Sequence, residues 1–436
     1  MFAYYLGLAL RNFRRNKTLT ALMVLAIALG IGAAMTTLTV FHVLSGDPIP
    51  HKSDKLFYPR IEPRTLGRDG QIDPEPLNQM TRFDAEELLR QGRADRQAVM
   101  TAGSVIVQPD GEATTPFRVA ARYTSADFFA LFDAPLRHGR SWDAQEDEAR
   151  ARVAVISAEL STQLFGEADG VGRSVRLAQG EFQVIGVLDA WEFNPRFYDL
   201  TSRRFGAAEQ MFIPFSTSRE LRLASQGNMN CWVRPQGEEG GQGLNAPCAW
   251  LQYWVELDSP QKVADYRRYL VDYSDQQRAA GRFEAPTNVR LDDVMGWLAY
   301  NRVVPGDVRI QMWLAFGFLL VCLVNTISLL LAKFLRRSGE IGVRRALGAS
   351  RTDIFIQCLV EAGCIGVAGG TLGLGFAALG LWLVRQQPDD YARLAQLDTT
   401  MLLATLLLAL LTSLLAGLLP AWRAMQITPA VQLKTQ

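Results

Sequence analysis

The sequence predicts a membrane protein with four transmembrane helices, one before and three after a large mixed α/β extracytoplasmic domain. Three observations support this fold class: 49% of the 436 residues are hydrophobic, four long stretches are almost free of charge, and basic residues cluster beside those stretches. Core helices of a water-soluble protein stay amphipathic, so this segregation of charge excludes a purely soluble protein. The net charge of +1 offers no basic footprint for nucleic acid.

The first apolar stretch, residues 19–44, is long enough to cross a bilayer, which takes about 20 helical residues. Residues 1–18 place aromatic and leucine side chains ahead of arginines, which predicts a cytoplasmic amphipathic helix along the inner membrane face. A cleavable signal peptide is the alternative. We favour a retained span, because the stretch is about twice the usual length of roughly 7–15 residues and no small-residue cleavage site follows it.

Three further spans are predicted at residues 310–332, 354–384 and 400–422. The loop 333–353 is rich in arginine and lysine, and the tail 423–436 carries further basic residues. Basic residues near span ends mark the cytoplasmic side, so we expect both termini and this loop to be cytoplasmic. The long insert between the first two spans is then outside the membrane.

The insert, residues 45–309, is predicted to fold as a domain with its own core. β-Branched runs alternate with helical patterns, the runs at 104–107, 152–156 and 182–187 and the patterns at 84–91, 158–165 and 261–277. Cys231 and Cys248 flank a glycine-rich segment that predicts a flexible loop. An oxidising compartment favours a disulfide between them, worth about 3 kcal/mol, over two free thiols.

Catalytic and metal-binding motifs are missing from the sequence. The three histidines, His42, His51 and His138, form neither an HExxH pair nor a Cys/His cluster. The sequence has neither a G-x-S-x-G elbow nor a phosphate-binding loop. We therefore expect a non-catalytic protein that binds no cofactor directly and takes its energy from a partner.

The loop between the second and third spans has a pattern of its own. Ile341, Arg344, Arg345 and Gly348 recur at helical spacing, which predicts a short, basic and partly apolar helix facing the cytoplasm. An ordinary basic loop is the alternative, but it explains the arginines and not the ordered glycines and alanines. We interpret this segment as a docking surface.

Glu361 is the one charged residue within the four predicted spans. An unpaired charge in hydrocarbon costs several kcal/mol, so Glu361 is a functional candidate. The alternative, which we favour, is that it reaches the interface or pairs with Arg351 or Arg345. Small residues permit close helix packing, which we expect at Gly366, Gly369, Gly370, Gly373 and Gly375.

Several of these motifs together resemble the MacB/FtsX-type ABC transporter permeases. The stretch EIGVRRALG (340–348), with Gln357, Glu361 and GGTLG at 369–373, is similar to the family's region between the second and third spans. The chain end, PAWRA at 420–424 with Pro429 and Leu433, resembles its closing pattern. Segments similar to the MacB-like periplasmic core domain are 128–129, 139–140, 153–157, 164–166, 172 and 184–187. The resemblance extends to the N-terminal 10–13 and 30–32, covers nearly the whole chain and is weakest over 190–260.

The resemblance implies a permease of the bacterial cytoplasmic (inner) membrane with cytoplasmic termini and a periplasmic domain. An ABC ATPase on a separate chain would bind ATP and Mg, and its motion would be transmitted to the periplasmic domain. A second permease, identical or paralogous, would complete a dimer. The residues expected to couple to the ATPase are Glu340, Ile341, Gly342, Arg344, Arg345, Ala346, Leu347 and Gly348.

The resemblance leaves the biological role open. A MacB-like exporter implies a periplasmic adaptor and an outer-membrane channel, whereas a Lol-like protein would extract lipoproteins. An FtsX-like regulator would activate cell-wall hydrolases, but its outside domain is expected to be smaller than residues 45–309. A receptor that reports to a cytoplasmic partner is a third class.

Overall fold

A computed structural model describes residues 5, 7–8, 11, 17–65, 74–109, 115–166, 169–387 and 399–426. Most of the predicted amphipathic helix in 1–18, the loop 388–398 and the tail from 427 onwards lie outside the described residues. The chain divides into two compact units. The helical unit comprises Met1–Gly46 with Val304–Gln436, and the α/β domain comprises Asp47–Val303.

Within the described residues, four helices of the helical unit are long and apolar enough to cross a membrane. They are α1 (Lys17–Ser45), α9 (Gly306–Arg336), α11 (Arg351–Arg385) and α12 (Thr399–Met425). A shorter helix, α10 (Ser338–Ala346), lies between α9 and α11. Each predicted span lies inside one of the four long helices, which confirms the one-plus-three arrangement.

Small residues set the packing of the four long helices. Helices α9 and α11 each pack along both α1 and α12. A methyl group added at Gly366, Gly369 or Gly370 would lie 2.7 Å or less from side-chain atoms of α1 or α12. These glycines therefore permit the close approach that the sequence predicts. Gly375 differs, because it faces open space.

The α/β domain is built on a mostly antiparallel sheet. Its strands are β1 (Leu56–Ile61), β2 (Met80–Thr81), β3 (Arg96–Gln108), β4 (Phe117–Thr124), β5 (Leu136–Gly139), β6 (Val153–Ser157), β7 (Ser174–Leu177), β8 (Gly180–Leu188), β9 (Met211–Pro214), β10 (Ser225–Gln226), β11 (Asn230–Cys231), β12 (Cys248–Glu256) and β13 (Val289–Asp293). The sheet order is β13-β1-β12-β3-β4-β9-β6-β8-β5, and only β4–β9 and β6–β8 pair in parallel within the described part. Four short strands extend it: β10 pairs with β3, β2 and β11 pair with β12, and β7 pairs with β3 and β8.

Short helices connect these strands. They are α2 (Arg82–Gln91), α3 (Phe128–Leu131), α4 (Ala144–Glu148), α5 (Ala158–Phe165), α6 (Phe215–Glu220), α7 (Pro260–Ala279) and α8 (Val294–Tyr300). Side-chain caps set several of their starts: Thr81 caps α2, Ser157 caps α5 and Ser259 caps α7. All three predicted strands and all three predicted helices of the domain are confirmed. Their ends shift by at most two residues except in β3, which begins at Arg96, eight residues before the predicted start.

Strand β12 is buried along its whole length because both of its faces are covered. Tyr253 and Val255 face the main core of the domain. Trp254 points the other way, into a cluster of aromatic rings that includes Tyr58, Phe132 and Phe197. Burial on both faces explains why the strand has no alternation of polar and apolar residues.

An ion cluster attaches the irregular segment 189–210 to the sheet. Arg122 of β4 is fully buried and donates to Asp199 at 2.9 Å and to Glu209, which also accepts from Arg196 and Tyr198. Burial alone would raise the pKa of Asp199, but the charge of Arg122 and a nearby threonine hydroxyl lower it to about 2. The segment is thus held by charge and by buried aromatic rings, since Phe197 and Tyr198 pack against Phe132, rather than by regular backbone pairing.

The structure joins Cys231 and Cys248 by a disulfide. The bond closes the glycine-rich loop, in which Gly237 and Gly240 have positive φ angles. Such angles favour glycine over other residues. The loop therefore has a defined path, with one 3₁₀ turn at Gly240–Gln242.

Candidate functional site

Helix α10 follows α9 almost directly and presents two different faces. Ile341 and Gly342 are buried against the helical unit. Val343 and Leu347, one turn apart, are 55% and 84% exposed. Gly339 and Ala346 are exposed on the same side. The exposed face of α10 is therefore small and apolar, which is unusual for a solvent-facing helix and typical of a contact surface.

The charged residues of α10 contact the helical unit instead of standing free. Glu340 accepts from Arg337 at 3.2 Å and from Arg344 at 3.1 Å. Arg344 also reaches Gln357 of α11 at 3.2 Å, and Arg345 donates to the carbonyl oxygen of Met425 at 3.4 Å. These contacts hold α10 against the ends of α11 and α12.

Glu361 is buried and paired within the span α11. Its carboxylate lies 2.7 Å from the Nζ of Lys333 and 3.2 Å from Arg337. Both Glu361 (2% exposed) and Lys333 (1% exposed) are almost completely buried. The prediction that Glu361 pairs with a nearby arginine is confirmed, but the partners are Lys333 at the end of α9 and Arg337 directly after it, and not the suggested Arg351 or Arg345. Burying one charge without a partner is expensive, so this pairing restricts how α9 and α11 can move apart.

The ionic contacts form one continuous network, which we call the charge network. It runs from Lys333 through Glu361, Arg337 and Glu340 to Arg344. Lys333 also donates to Thr20 of α1 at 3.4 Å. The charge network thereby connects α10 to three of the four long helices.

The eight predicted coupling residues separate into three groups. Ile341 and Gly342 are buried, Glu340, Arg344 and Arg345 contact the helical unit, and three residues are exposed: Ala346, Leu347 and Gly348. Sequence reasoning missed Val343, Lys333 and Arg337. Helical spacing could have found Val343, four residues before Leu347. Lys333 and Arg337 are basic residues near the end of a span, as the positive-inside rule expects, so nothing in the sequence indicated that they pair with Glu361.

The described residues contain no group of three or more His, Cys, Asp or Glu side chains that could hold a metal ion. His51 lies 2.9 Å from Asp133, and His138 lies 3.8 Å from Asp169. Both contacts lie in the α/β domain, and Asp133 also pairs with Lys52 at 3.1 Å. The candidate site thus consists of an exposed apolar face on α10 and a set of ion pairs that join α10 to the long helices.

Two family models match this chain. The model described as "MacB-like periplasmic core domain" matches residues 20–273, and the model described as "FtsX-like permease C-terminal" matches residues 312–429. The first alone covers more than half of the chain. Together they include α10, the charge network and most of the α/β domain.

Curated relatives include two ATP-binding/permease proteins. The macrolide export protein MacB of Rhodospirillum rubrum is 26% identical over 454 aligned residues, which cover 100% of this chain and 61% of that protein. The pyoverdine export protein PvdT of Pseudomonas aeruginosa is 26% identical over 315 residues, 72% of this chain and 42% of that protein. The chain thus spans about half the length of these relatives.

Among solved structures, the periplasmic region of MacB from Actinobacillus actinomycetemcomitans is similar at 14% identity with a TM-score of 0.36. It covers 57% of this chain and 93% of that one. The extracellular domain of YknZ, from Gram-positive bacteria, has the same identity and a TM-score of 0.35, with 55% and 100% covered.

Proposed function

The chain belongs to the MacB/FtsX-type ABC transporter permeases, and from this premise we propose that it couples ATP hydrolysis to movement of its α/β domain during export. The observation that carries the proposal is the charge network, which joins the exposed face of α10 to α1, α9 and α11. In sequence, α1 enters the α/β domain and α9 leaves it. Movement of α10 would therefore pass to the two helices that connect to that domain.

We place the energy source on an ABC ATPase that docks on the exposed face of α10. "ATP-binding" in the names of the relatives supports this partner. The 436 residues contain no phosphate-binding loop, so we assign ATP and Mg to an ATPase that lies outside these residues and a non-catalytic role to the permease. The basic residues flanking the spans favour cytoplasmic termini, a cytoplasmic α10 and a periplasmic α/β domain in an inner-membrane protein.

The exposed stripe of α9 supports a second permease as a partner. Gln311, Leu314, Phe318, Val321, Asn325 and Ser328 are all exposed and recur every three or four residues. Among the described residues, the Asn325 amide makes no hydrogen bond, although it lies within a span. An amide both donates and accepts, so Asn325 can pair with its copy across a two-fold axis. Disulfide crosslinking tests this pairing of two copies. Asn325→Cys should crosslink them, whereas Leu320→Cys, which is exposed but lies off the stripe, should not.

We propose export as the role because the relatives are named as exporters of a macrolide and of pyoverdine. Export of this kind would use a periplasmic adaptor and an outer-membrane channel. The alternatives are lipoprotein extraction and activation of cell-wall hydrolases. Affinity purification after mild crosslinking separates them: an ATPase with an adaptor supports export, whereas an ATPase with a wall hydrolase supports regulation.

The docking face is tested by Val343→Ser combined with Leu347→Ser. Both side chains are exposed, so the permease should fold normally, while association with the ATPase should fall by at least about tenfold, as expected for loss of two apolar anchors of roughly 1 kcal/mol each. Co-purification of the ATPase and its stimulated ATP hydrolysis are the measurements.

Met295→Ser in the α/β domain is the matched control, because Met295 is also exposed and apolar. Charge reversal at Arg344 and Arg345 is a poorer test, since both side chains hold α10 in place. Unchanged ATPase association in the double serine variant would remove α10 as the docking surface.

A further inference from the structure

Arg219 of α6 is a buried positive charge whose hydrogen bonds go to neutral acceptors. Its side chain donates to the carbonyl oxygen of Leu223 at 2.8 Å, to the hydroxyl of Ser218 at 3.3 Å and to the amide oxygen of Gln242. The residue is only 7% exposed, and Trp250 lies 5.0 Å from the guanidinium. Among the described residues, no carboxylate lies within ion-pairing distance of Arg219.

The surroundings of Arg219 disfavour its charge. Burial is the largest cause and the nearby positive charge of Arg82 is the second, and together they lower the pKa of Arg219 to about 10. Most buried arginines are paired with an acid, because desolvation of an unpaired charge costs several kcal/mol. Cation–π contacts with Trp250 and its neighbours offset part of this penalty. An anion beside Arg219 would offset more.

Two further arginines converge on the same place. Arg82 at the start of α2 and Arg222 after α6 line a cavity of about 260 Å³ together with Arg219. A larger cleft of about 780 Å³ in the same domain shares these three arginines as lining residues. The cavity is therefore a recess with three arginines and two glutamates in its lining, and it adjoins a cleft of mixed charge that has room for a larger molecule.

The disulfide-closed loop covers this recess with acidic side chains. Glu238 accepts from Arg222 at 3.2 Å, and Glu239 accepts from Arg82 at 3.1 Å. Arg82 also donates to Glu86 of α2 at 2.7 Å, outside the loop. Both glutamates of the loop are on the solvent side, with side chains 83% and 40% exposed. The loop thus supplies carboxylates to the two outer arginines and only an amide to Arg219.

We propose that Arg82, Arg219 and Arg222 form a binding site for the carboxylate group of a small molecule or peptide, with Glu238 and Glu239 as internal competitors for the outer arginines. A guanidinium binds a carboxylate through two parallel hydrogen bonds, which suits this ligand. The glutamates of the loop already show that carboxylates fit the outer part of the recess. The site lies wholly within the α/β domain, so it goes beyond ATPase coupling and does not depend on it.

The experiment measures binding of dansyl-glycine to the full-length protein in detergent, without an ATPase, by fluorescence anisotropy. Dansyl-glycinamide is the matched control, because it has a neutral carboxamide in place of the carboxylate. We expect the acid to bind at least about tenfold more tightly than the amide, because a charged hydrogen-bonded pair is worth roughly 1.5–3 kcal/mol. Equal binding of the two compounds, or binding of neither, would overturn the proposal.

Three variants locate the site. Arg219→Gln should weaken binding of dansyl-glycine at least about tenfold, as expected for loss of one charge-assisted hydrogen bond. Arg90→Gln is the matched control, because Arg90 lines the larger cleft but is held by Glu87 at the surface. Glu238→Gln combined with Glu239→Gln should tighten binding severalfold, because the internal competitors lose their charge.

The glutamine pair keeps the proposal testable if Arg219→Gln does not fold, since Glu238 and Glu239 are exposed. Weaker or unchanged binding in the glutamine pair would contradict the proposal. Displacement of dansyl-glycine by an equal concentration of inorganic phosphate would overturn the assignment to a carboxylate, because a general anion site would accept both.

Discussion

The helical unit and the α/β domain each bury a cluster of charged side chains, but the two clusters differ in how they are built. In the helical unit, Glu361 pairs with Lys333 and Arg337 between long helices. In the α/β domain, Arg122 pairs with Asp199 and Glu209 beneath an irregular segment. The first cluster joins long regular helices, whereas the second holds a segment that has little regular structure.

Because the two clusters are built differently, we expect the Glu361 cluster to tolerate substitution better than the Arg122 cluster. A buried ion pair between well-packed helices can often be replaced by apolar side chains with little loss of stability. A cluster with two carboxylates, two arginines and several hydroxyl donors cannot be replaced so simply, because each removed group leaves another one unpaired. The following variants test that contrast.

The largest effect is expected for Arg122→Met in the α/β domain. The variant leaves Asp199 and Glu209 buried with Arg196 as the nearest remaining cation, so the free energy of unfolding should fall by about 5 kcal/mol. Urea unfolding followed by tryptophan fluorescence measures it. Arg176→Met removes an exposed pair with Glu181 and should cost less than about 1 kcal/mol. Equal losses in the two variants would contradict a special role for the buried cluster.

A smaller loss is expected for Glu361→Leu in the helical unit. It leaves Lys333 buried with Thr20 as a hydrogen-bond acceptor, and the free energy of unfolding should fall by about 3 kcal/mol. Unfolding in mixed detergent and SDS micelles measures it.

The double variant Lys333→Met with Glu361→Leu should recover most of the lost stability, because it removes the two almost completely buried charges and leaves Arg337 paired with Glu340. Stimulation of the ATPase should stay impaired in the double variant if the charge network transmits movement. A double variant that is as unstable as Glu361→Leu alone would show that the pair resembles the Arg122 cluster after all.

The smallest effect concerns Asp147, a buried carboxylate of α4 that accepts from the backbone N–H of Ser216. Burial raises the pKa of Asp147 to about 6, above its ordinary value of 3.8. The folded state therefore binds the proton more tightly, and stability rises as the pH falls through 6. Asp147→Asn should stabilise the protein by about 1–2 kcal/mol at pH 7.5 and by much less at pH 4. Thermal unfolding at both pH values measures this difference. A stabilisation that is the same at both pH values would exclude the titration of Asp147 as its cause.

Much of the fold and part of the candidate site could be predicted from the sequence. Glu361 stood out because its span is otherwise uncharged, and Cys231 and Cys248 stood out as the two cysteines of the outside domain. Arg122 and Arg219 gave no such signal, because arginines are common throughout the α/β domain. Their burial depends on strands and loops that are distant in sequence.

The sequence by itself determined the four spans, their one-plus-three order, the α/β character of the insert and the short helix α10. These features follow from hydrophobic length, local periodicity and the placement of basic residues, which act over one or two turns of chain. The tertiary structure alone decided that Lys333 and Arg337 face Glu361, that Val343 and Leu347 form the exposed face of α10, and that Arg219 is buried without an acid. Each of these outcomes depends on which surfaces cover one another in three dimensions, and a local pattern carries no information about that.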